Sequence, residues 1–144
     1  MADRMEENIQ AIDALLEAFE GAVSNGNAGA LAPLFCEQAT AFFSGSVEPV
    51  RGRFDLVATW ERHLGRWSSV RIRRRETLVR IHGDVAWAHF LWDGEGVTNG
   101  EKYRLDGERW TIVMVWEEGA WRLAQMHTSM PYRDWASHRV GGSV

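Results

Sequence analysis

Two histidines, one arginine and a short run of hydroxyls carry most of the chemical potential of this chain. His89 lies in Trp87-Ala88-His89-Phe90-Leu91, an otherwise apolar stretch, and His127 opens His127-Thr128-Ser129. An imidazole titrates near neutrality, so either ring can serve as general acid or base to a ligand within reach. Each can equally be a satisfied structural side chain. Arg109 and Thr111 are two residues apart on an alternating run and therefore share a strand face. There a guanidinium would clamp a carboxylate bidentately, with Thr111 as a second donor; alternatively Arg109 pairs with Asp106 or Glu108. Trp60, Trp87 and Trp92, three of eight tryptophans, would give flat walls to a site. The chemistry on offer is acid–base work, with His127 and His89 as catalytic candidates. Its substrate would be a small, partly hydrophobic molecule, anionic if Arg109 anchors it.

Other chemistries lack their residues. Cys36 is the single cysteine, which excludes an internal disulfide and a cysteine-rich metal cage. The five histidines, at 63, 82, 89, 127 and 138, show no ligand spacing, so no metal is expected. Gly94-Glu95-Gly96 opens no helix and a nucleophile elbow is absent, so neither a phosphate-cradling loop nor a serine hydrolase is expected. No cofactor is expected either. A net charge of −4 argues against nucleic-acid binding, and the basic run Arg71, Arg73, Arg74, Arg75 reads as a solvated strand face. No run approaches the roughly 18 apolar residues of a membrane span, and the charged N-terminus lacks a signal core. A cytoplasmic location is the expectation.

These residues need elements to position them. Ile9, Ile12, Leu15, Leu16, Phe19 and Val23 form one helical stripe, ended by Ser24-Asn25-Gly26-Asn27. A short second helix would carry Leu31, Leu34 and Phe35, and a strand is expected from Ala39 to Ser44. Leu56, Val57, Trp60, Leu64 and Trp67 define a third helix from about 53 to 67. After it the pattern turns to strands: 70–81, a His82-Gly83-Asp84 turn, then 85–93. Gly94, Gly96, Asn99 and Gly100 loosen the chain before a last hairpin that turns at Glu118-Gly119 and ends at Pro131. Helices followed by an antiparallel meander make an α+β domain, and at 144 residues the chain reads as one. Its core would span about 5–132, with a polar tail over 133–144.

Both faces of the last hairpin carry large side chains. One shows Arg109, Thr111, Val113 and Val115, the other Trp110, Ile112, Met114 and Trp116. The expectation is a pocket on the arginine face and a partner subunit on the tryptophan face. Because strand side chains alternate, a single bulge would exchange the two sides.

Three pieces in this order resemble the SnoaL-like branch of the nuclear transport factor 2-like (NTF2-like) superfamily: Leu34-Phe35-Cys36-Glu37-Gln38-Ala39-Thr40; Val50-Arg51-Gly52-Arg53 before the third helix; and Arg109-x-Thr111-x-Val113, Gly119-x-Trp121-Arg122 and His127-x-Ser129-x-Pro131. The resemblance implies a cone-shaped fold, a curved antiparallel sheet wrapped around three N-terminal helices, and a homodimer through the outer sheet face. It implies lyase, isomerase or hydratase chemistry, or alternatively a non-catalytic assembly or ligand-binding module, because this fold hosts many functions. The superfamily's ketosteroid isomerases use a carboxylate base with phenol and protonated-carboxyl donors. Counted from the shared Leu-Phe, the base position falls at Phe43 and the phenol position at Phe19. The stretch Arg109–Trp116 holds no acid. Steroid-type isomerisation by that route is therefore not expected, and Phe19 and Phe43 become apolar ligand contacts, with Thr128 and Ser129 as polar ones.

Overall fold

The computed structural model describes residues 2–131 and consists of a long helix, a shorter one and a bent six-stranded sheet. Helix α1 (Ala2–Ser24) forms because Ile12, Leu15, Leu16, Phe19 and Val23 recur on one stripe, and all five are buried. Two 3₁₀ turns, Ala28–Ala30 and Ala32–Leu34, stand where a second helix was expected. Pro33 lacks an N–H and suits a tight turn better than a helix interior. Phe35 consequently opens strand β1 (Phe35–Phe42), four residues earlier than the alternation suggested. Strand β2 (Val50–Arg51) precedes helix α2 (Arg53–Leu64), whose buried residues are Leu56, Trp60 and Leu64.

Strands β3 (Ser68–His82), β4 (Val85–Thr98), β5 (Glu101–Glu117) and β6 (Ala120–Ser129) follow as a meander. The sheet order is β2-β1-β6-β5-β4-β3, antiparallel except where β1 runs parallel to β6. The glycines at 94 and 96 continue β4 instead of ending it. Gly96 is needed there: a Cβ would lie 2.7 Å from the Trp67 ring, which rests on its backbone.

Register shifts interrupt β3 twice, β5 opposite Asp93, and β6 opposite Val113. Each extra residue bends its strand and strengthens its twist, which curls the sheet around the helices. The core fills the concave side: Ala86, Ala88, Phe90 and Trp92 from β4, Trp110, Ile112 and Met114 from β5, and Trp121, Leu123 and Met126 from β6. The Trp121 indole N–H donates to Asn8 Oδ1 (3.2 Å), and Arg74 pairs with Glu20 (3.0 Å), pinning α1 across the hollow.

The two sides of the last hairpin are therefore the reverse of the expectation. Trp110, Ile112 and Met114 point into the core and cannot meet a partner subunit. Trp116 continues their side but is exposed at the end of β5. Arg109 and Thr111 face outward. The physical reason lies in side-chain size: an inner surface lined by tryptophan, isoleucine and methionine buries far more apolar area than one lined by arginine and threonine. The expected tail, 133–144, lies outside the described residues.

Candidate functional site

A cavity of about 670 Å³ opens at the wide end of the cone, between α2 and the far ends of β3, β4 and β5. Its depths are aromatic. Trp92 and Trp110 stack with ring centres 4.6 Å apart, and Trp60 from α2 lies nearly parallel to Trp110 at 6.1 Å. Phe43 meets Trp60 edge-on at 5.5 Å. The indole nitrogen of Trp60 is buried and lacks a hydrogen-bond partner among the described residues.

Two carboxylates line the cavity, Glu95 and Glu108, and only Glu108 is buried. Glu108 is 9% exposed. Trp110 Nε1 donates to its Oε1 at 2.7 Å, and Ser44 Oγ donates to its Oε2 at 2.5 Å. The Ser44 backbone N–H in turn donates to the buried Thr128 hydroxyl at 2.8 Å. No cationic group pairs with Glu108 among the described residues. Burying a carboxylate is costly unless it is hydrogen-bonded, and the Trp110 and Ser44 donors supply that compensation here.

A bulge sets the floor of this site. Trp92 faces Glu108 across the ladder and Gly94 faces Leu105, so Asp106 and Gly107 together oppose the single residue Asp93. Gly107 has φ +70°, in the left-handed region that glycine enters without a Cβ clash. Its N–H donates to Asp93 Oδ1 at 2.8 Å, while Arg75 Nε donates to Asp93 Oδ2 at 2.7 Å. The Arg75 guanidinium, and after it the Gly107 N–H, hold the Asp93 carboxyl below the usual carboxylate range. The shift of one register turns Leu105 and Tyr103 onto the cavity wall beside Glu108.

The rim is mainly basic and aromatic: Arg62, His63, Arg66, Trp67 and Tyr103 stand at the opening, with Arg104 and its cross-strand neighbour Glu95 at the edge. Trp67 meets Tyr103 edge-on at 5.7 Å, and His63 lies 5.8 Å from Trp60. The crowding of His63 against its neighbours, and secondarily the Arg66 charge, lower its pKa from the ordinary histidine value. A neutral imidazole can accept a proton or a hydrogen bond at the mouth.

The residues expected to form the site divide between two surfaces. Trp60, Phe43 and Thr128 line the cavity, as does Trp92, whereas Phe19 packs behind the wall, 5.5 Å from Trp60 and 5.6 Å from Trp110. His89, His127, Arg109, Thr111, Trp87 and Ser129 all lie on the convex face, outside the cavity. There they form cross-strand rows: His89 opposite Thr111 opposite His127 opposite Phe42, with the Phe42 and His127 rings 5.6 Å apart. Arg109 pairs with neither acid proposed for it; its Nε donates to Ser129 Oγ at 3.2 Å. Unbroken alternation would put His127 on the side of Trp121 and Leu123, but Ala124 is a surplus residue. Met114 faces Leu123 but Val113 faces Gln125, so the strand changes sides between them.

With this geometry, the comparisons with known proteins become informative. A family model described as the SnoaL-like domain matches residues 12–133. The chain belongs to the SnoaL-like domain family. Solved structures of the NTF2-like superfamily share the fold of this SnoaL-like domain. A protein of unknown function from Mycobacterium tuberculosis superposes with a TM-score of 0.80 at 21% identity, covering 96% of this chain and 81% of that one. A candidate dehydratase of the NTF2-like family from Streptomyces avermitilis gives 0.78 at 14% identity, over 88% and 99% of the two chains. A candidate aromatic ring hydroxylase from Novosphingobium aromaticivorans gives 0.77 at 21%, over 87% and 91%. At these identities the likeness concerns the fold. No curated protein matches the chain significantly. No helix among the described residues is long and apolar enough to cross a membrane.

Glu108 is the residue that reading the sequence for a second acid overlooked, one position before the acid-free stretch. The signal was present. Glu108, Trp110, Ile112 and Met114 alternate along one side, and a carboxylate in phase with large apolar residues shares their burial. His63 and Tyr103 carried no such mark, because their place depends on the end of α2 and on the Gly107 bulge.

Proposed function

We propose that this SnoaL-like domain binds a small, largely apolar molecule in its cone and that Glu108 exchanges a proton with it. The observation that carries this reading is a nearly buried carboxylate, held by neutral donors and without a counter-ion among the described residues, on an aromatic-lined cavity. The cavity size is typical of small-molecule sites. A carboxylate there can take a proton from a carbon or hydroxyl of the ligand and return it elsewhere. That is the shared step of isomerase, lyase and hydratase chemistry. Ser44 and Trp110 orient the two oxygens, and the tryptophans hold a flat body against them. The role first sought for His127 and His89 passes to Glu108, with His63 at the mouth as a second proton carrier.

Mass spectrometry of natively purified protein tests this reading. A small molecule should be retained by the wild type and lost, or reduced at least tenfold, in Glu108→Gln. A wild type that carries nothing, and whose tryptophan emission no small aromatic or alicyclic alcohol or ketone perturbs, contradicts it.

A second reading concerns the convex face and is compatible with the first. Phe42, Leu78, Val85 and Trp87 expose 38–43% of their surface there, beside the half-buried Leu91, Val113 and Val115. An apolar patch on one sheet face marks a contact surface. We infer that two copies dock through it, with Trp87 and Phe42 as anchors instead of Trp110, Ile112 and Met114. Trp87→Glu should sediment as monomer where the wild type is a dimer. A wild type that is monomeric at micromolar concentration contradicts the docking.

A further inference from the structure

The mouth of the cavity differs in charge from its floor. Arg62 lies in the last turn of α2 and Arg66 in the turn just past it, while Arg104, between Tyr103 and Leu105, points to the other side of β5. Arg104 is already engaged, its Nε 3.1 Å from Asp106. Arg62 donates to the Thr59 hydroxyl at 3.2 Å and has no acid partner among the described residues. Arg66 pairs with no acid there either. The lowered titration of His63 is caused in part by Arg66, so that guanidinium's field reaches the imidazole at the opening. Two guanidinium groups at one opening repel each other unless something negative lies between them. The negative end of the α2 dipole accounts for basic residues at this terminus. It does not account for their lining the opening of a cavity, in a protein of net charge −4.

We propose that the mouth is an anion subsite, so that the ligand is a small organic acid with an apolar ring body. Its anionic group sits at Arg62 and Arg66, and its hydroxyl or acidic C–H reaches Glu108. This orientation deepens, and rests on, the reading of Glu108 as the proton-exchanging group. It also follows from electrostatics, since the reverse orientation would bring two carboxylates together at the floor and leave two guanidinium groups unpaired at the rim. A guanidinium offers two parallel N–H donors to a carboxylate, so the acid gains geometry as well as charge. Trp67 and Tyr103, in edge contact beside the arginines, flank the path between mouth and floor.

Calorimetric titration with three matched probes separates the possibilities: a hydroxynaphthoate, its methyl ester and the corresponding naphthyl phosphate. The wild type should bind the acid about tenfold more tightly than the ester, a preference that shrinks as salt is raised. In the double variant Arg62→Gln, Arg66→Gln the acid should fall to the level of the ester, whose affinity stays unchanged and so shows that the cavity is intact. Glu108→Gln should weaken acid and ester together and leave their ratio in place. A phosphate bound more tightly than the acid would replace carboxylate by phosphate as the anion recognised. Equal binding of acid and ester by the wild type, or an acid preference that survives the double variant, overturns the subsite and leaves the Glu108 reading standing. Binding of none of the three overturns both.

Discussion

The concave and convex faces of the β4–β5–β6 meander are built from the same strands, residue by residue in alternation, yet they do opposite things. The concave face carries Phe90, Trp92, Trp110, Ile112 and Met114 with a single buried acid, Glu108. The convex face carries His89, His127, Arg109, Thr111 and Ser129, with Trp87 half in water. By residue type the convex set looks the more chemical. Most of its groups are open to solvent. The concave face holds Glu108 among aromatic side chains, where a ligand in the cavity meets its carboxylate away from bulk water. Burial, more than the inventory of reactive groups, separates a site from a surface.

This contrast can be broken at several points. The largest effect should come from Trp110→Ala, which removes the ring packed on Trp92, Phe90 and Phe19 and should cost about 3–5 kcal/mol in chemical denaturation. Trp87→Ala on the convex face should cost under about 1 kcal/mol in dilute protein. Equal losses at the two positions would contradict the assignment of faces. Gly96→Ala comes next, because its Cβ would overlap the Trp67 ring. Destabilisation of roughly 1–3 kcal/mol is expected from such overpacking, together with weaker ligand binding at the mouth.

Acid titration sharpens the role of the bulge. The folded pKa of Asp93 lies below its unfolded value near 3.9. Its contribution to stability is therefore complete above that value and is lost as pH falls through the folded one. Wild type should lose stability faster than Asp93→Asn as pH falls from about 5 toward about 2, and parallel curves would remove Asp93 from the account. The smallest effect is spectroscopic. The imidazole of His63 should titrate below the ordinary histidine value in NMR, and Arg66→Gln should raise it partway. An unchanged titration in that variant would show that the Arg66 charge does not reach the ring.

Much of the scaffold was legible from periodicity. The stripe from Ile12 to Val23 recurs at helical spacing, and the alternation around Trp110 and Trp121 states a hairpin without ambiguity. What alternation cannot state is which side is inside, nor where one surplus residue exchanges the sides. Ala124 does so in β6, and the Asp106–Gly107 bulge does so in β5. Ala124 explains why His127 and Ser129 leave the side of Trp121 and Leu123, whereas Arg109 and Thr111 face out because Trp110, Ile112 and Met114 bury more apolar area. Trp60, Phe43 and Thr128 reach the cavity from three separate parts of the chain, a convergence that only the curved sheet creates. Glu108 was readable in principle, since its phase with Trp110 and Ile112 places an acid on the apolar side.

The decisive measurement is a side-by-side calorimetric titration of wild type, Glu108→Gln and a His89→Ala, His127→Ala double variant with the hydroxynaphthoate methyl ester. The account predicts at least a tenfold loss of affinity in Glu108→Gln and wild-type affinity in the double histidine variant. Full binding by Glu108→Gln, together with loss in the histidine variant, would place the chemistry on the convex face and contradict it.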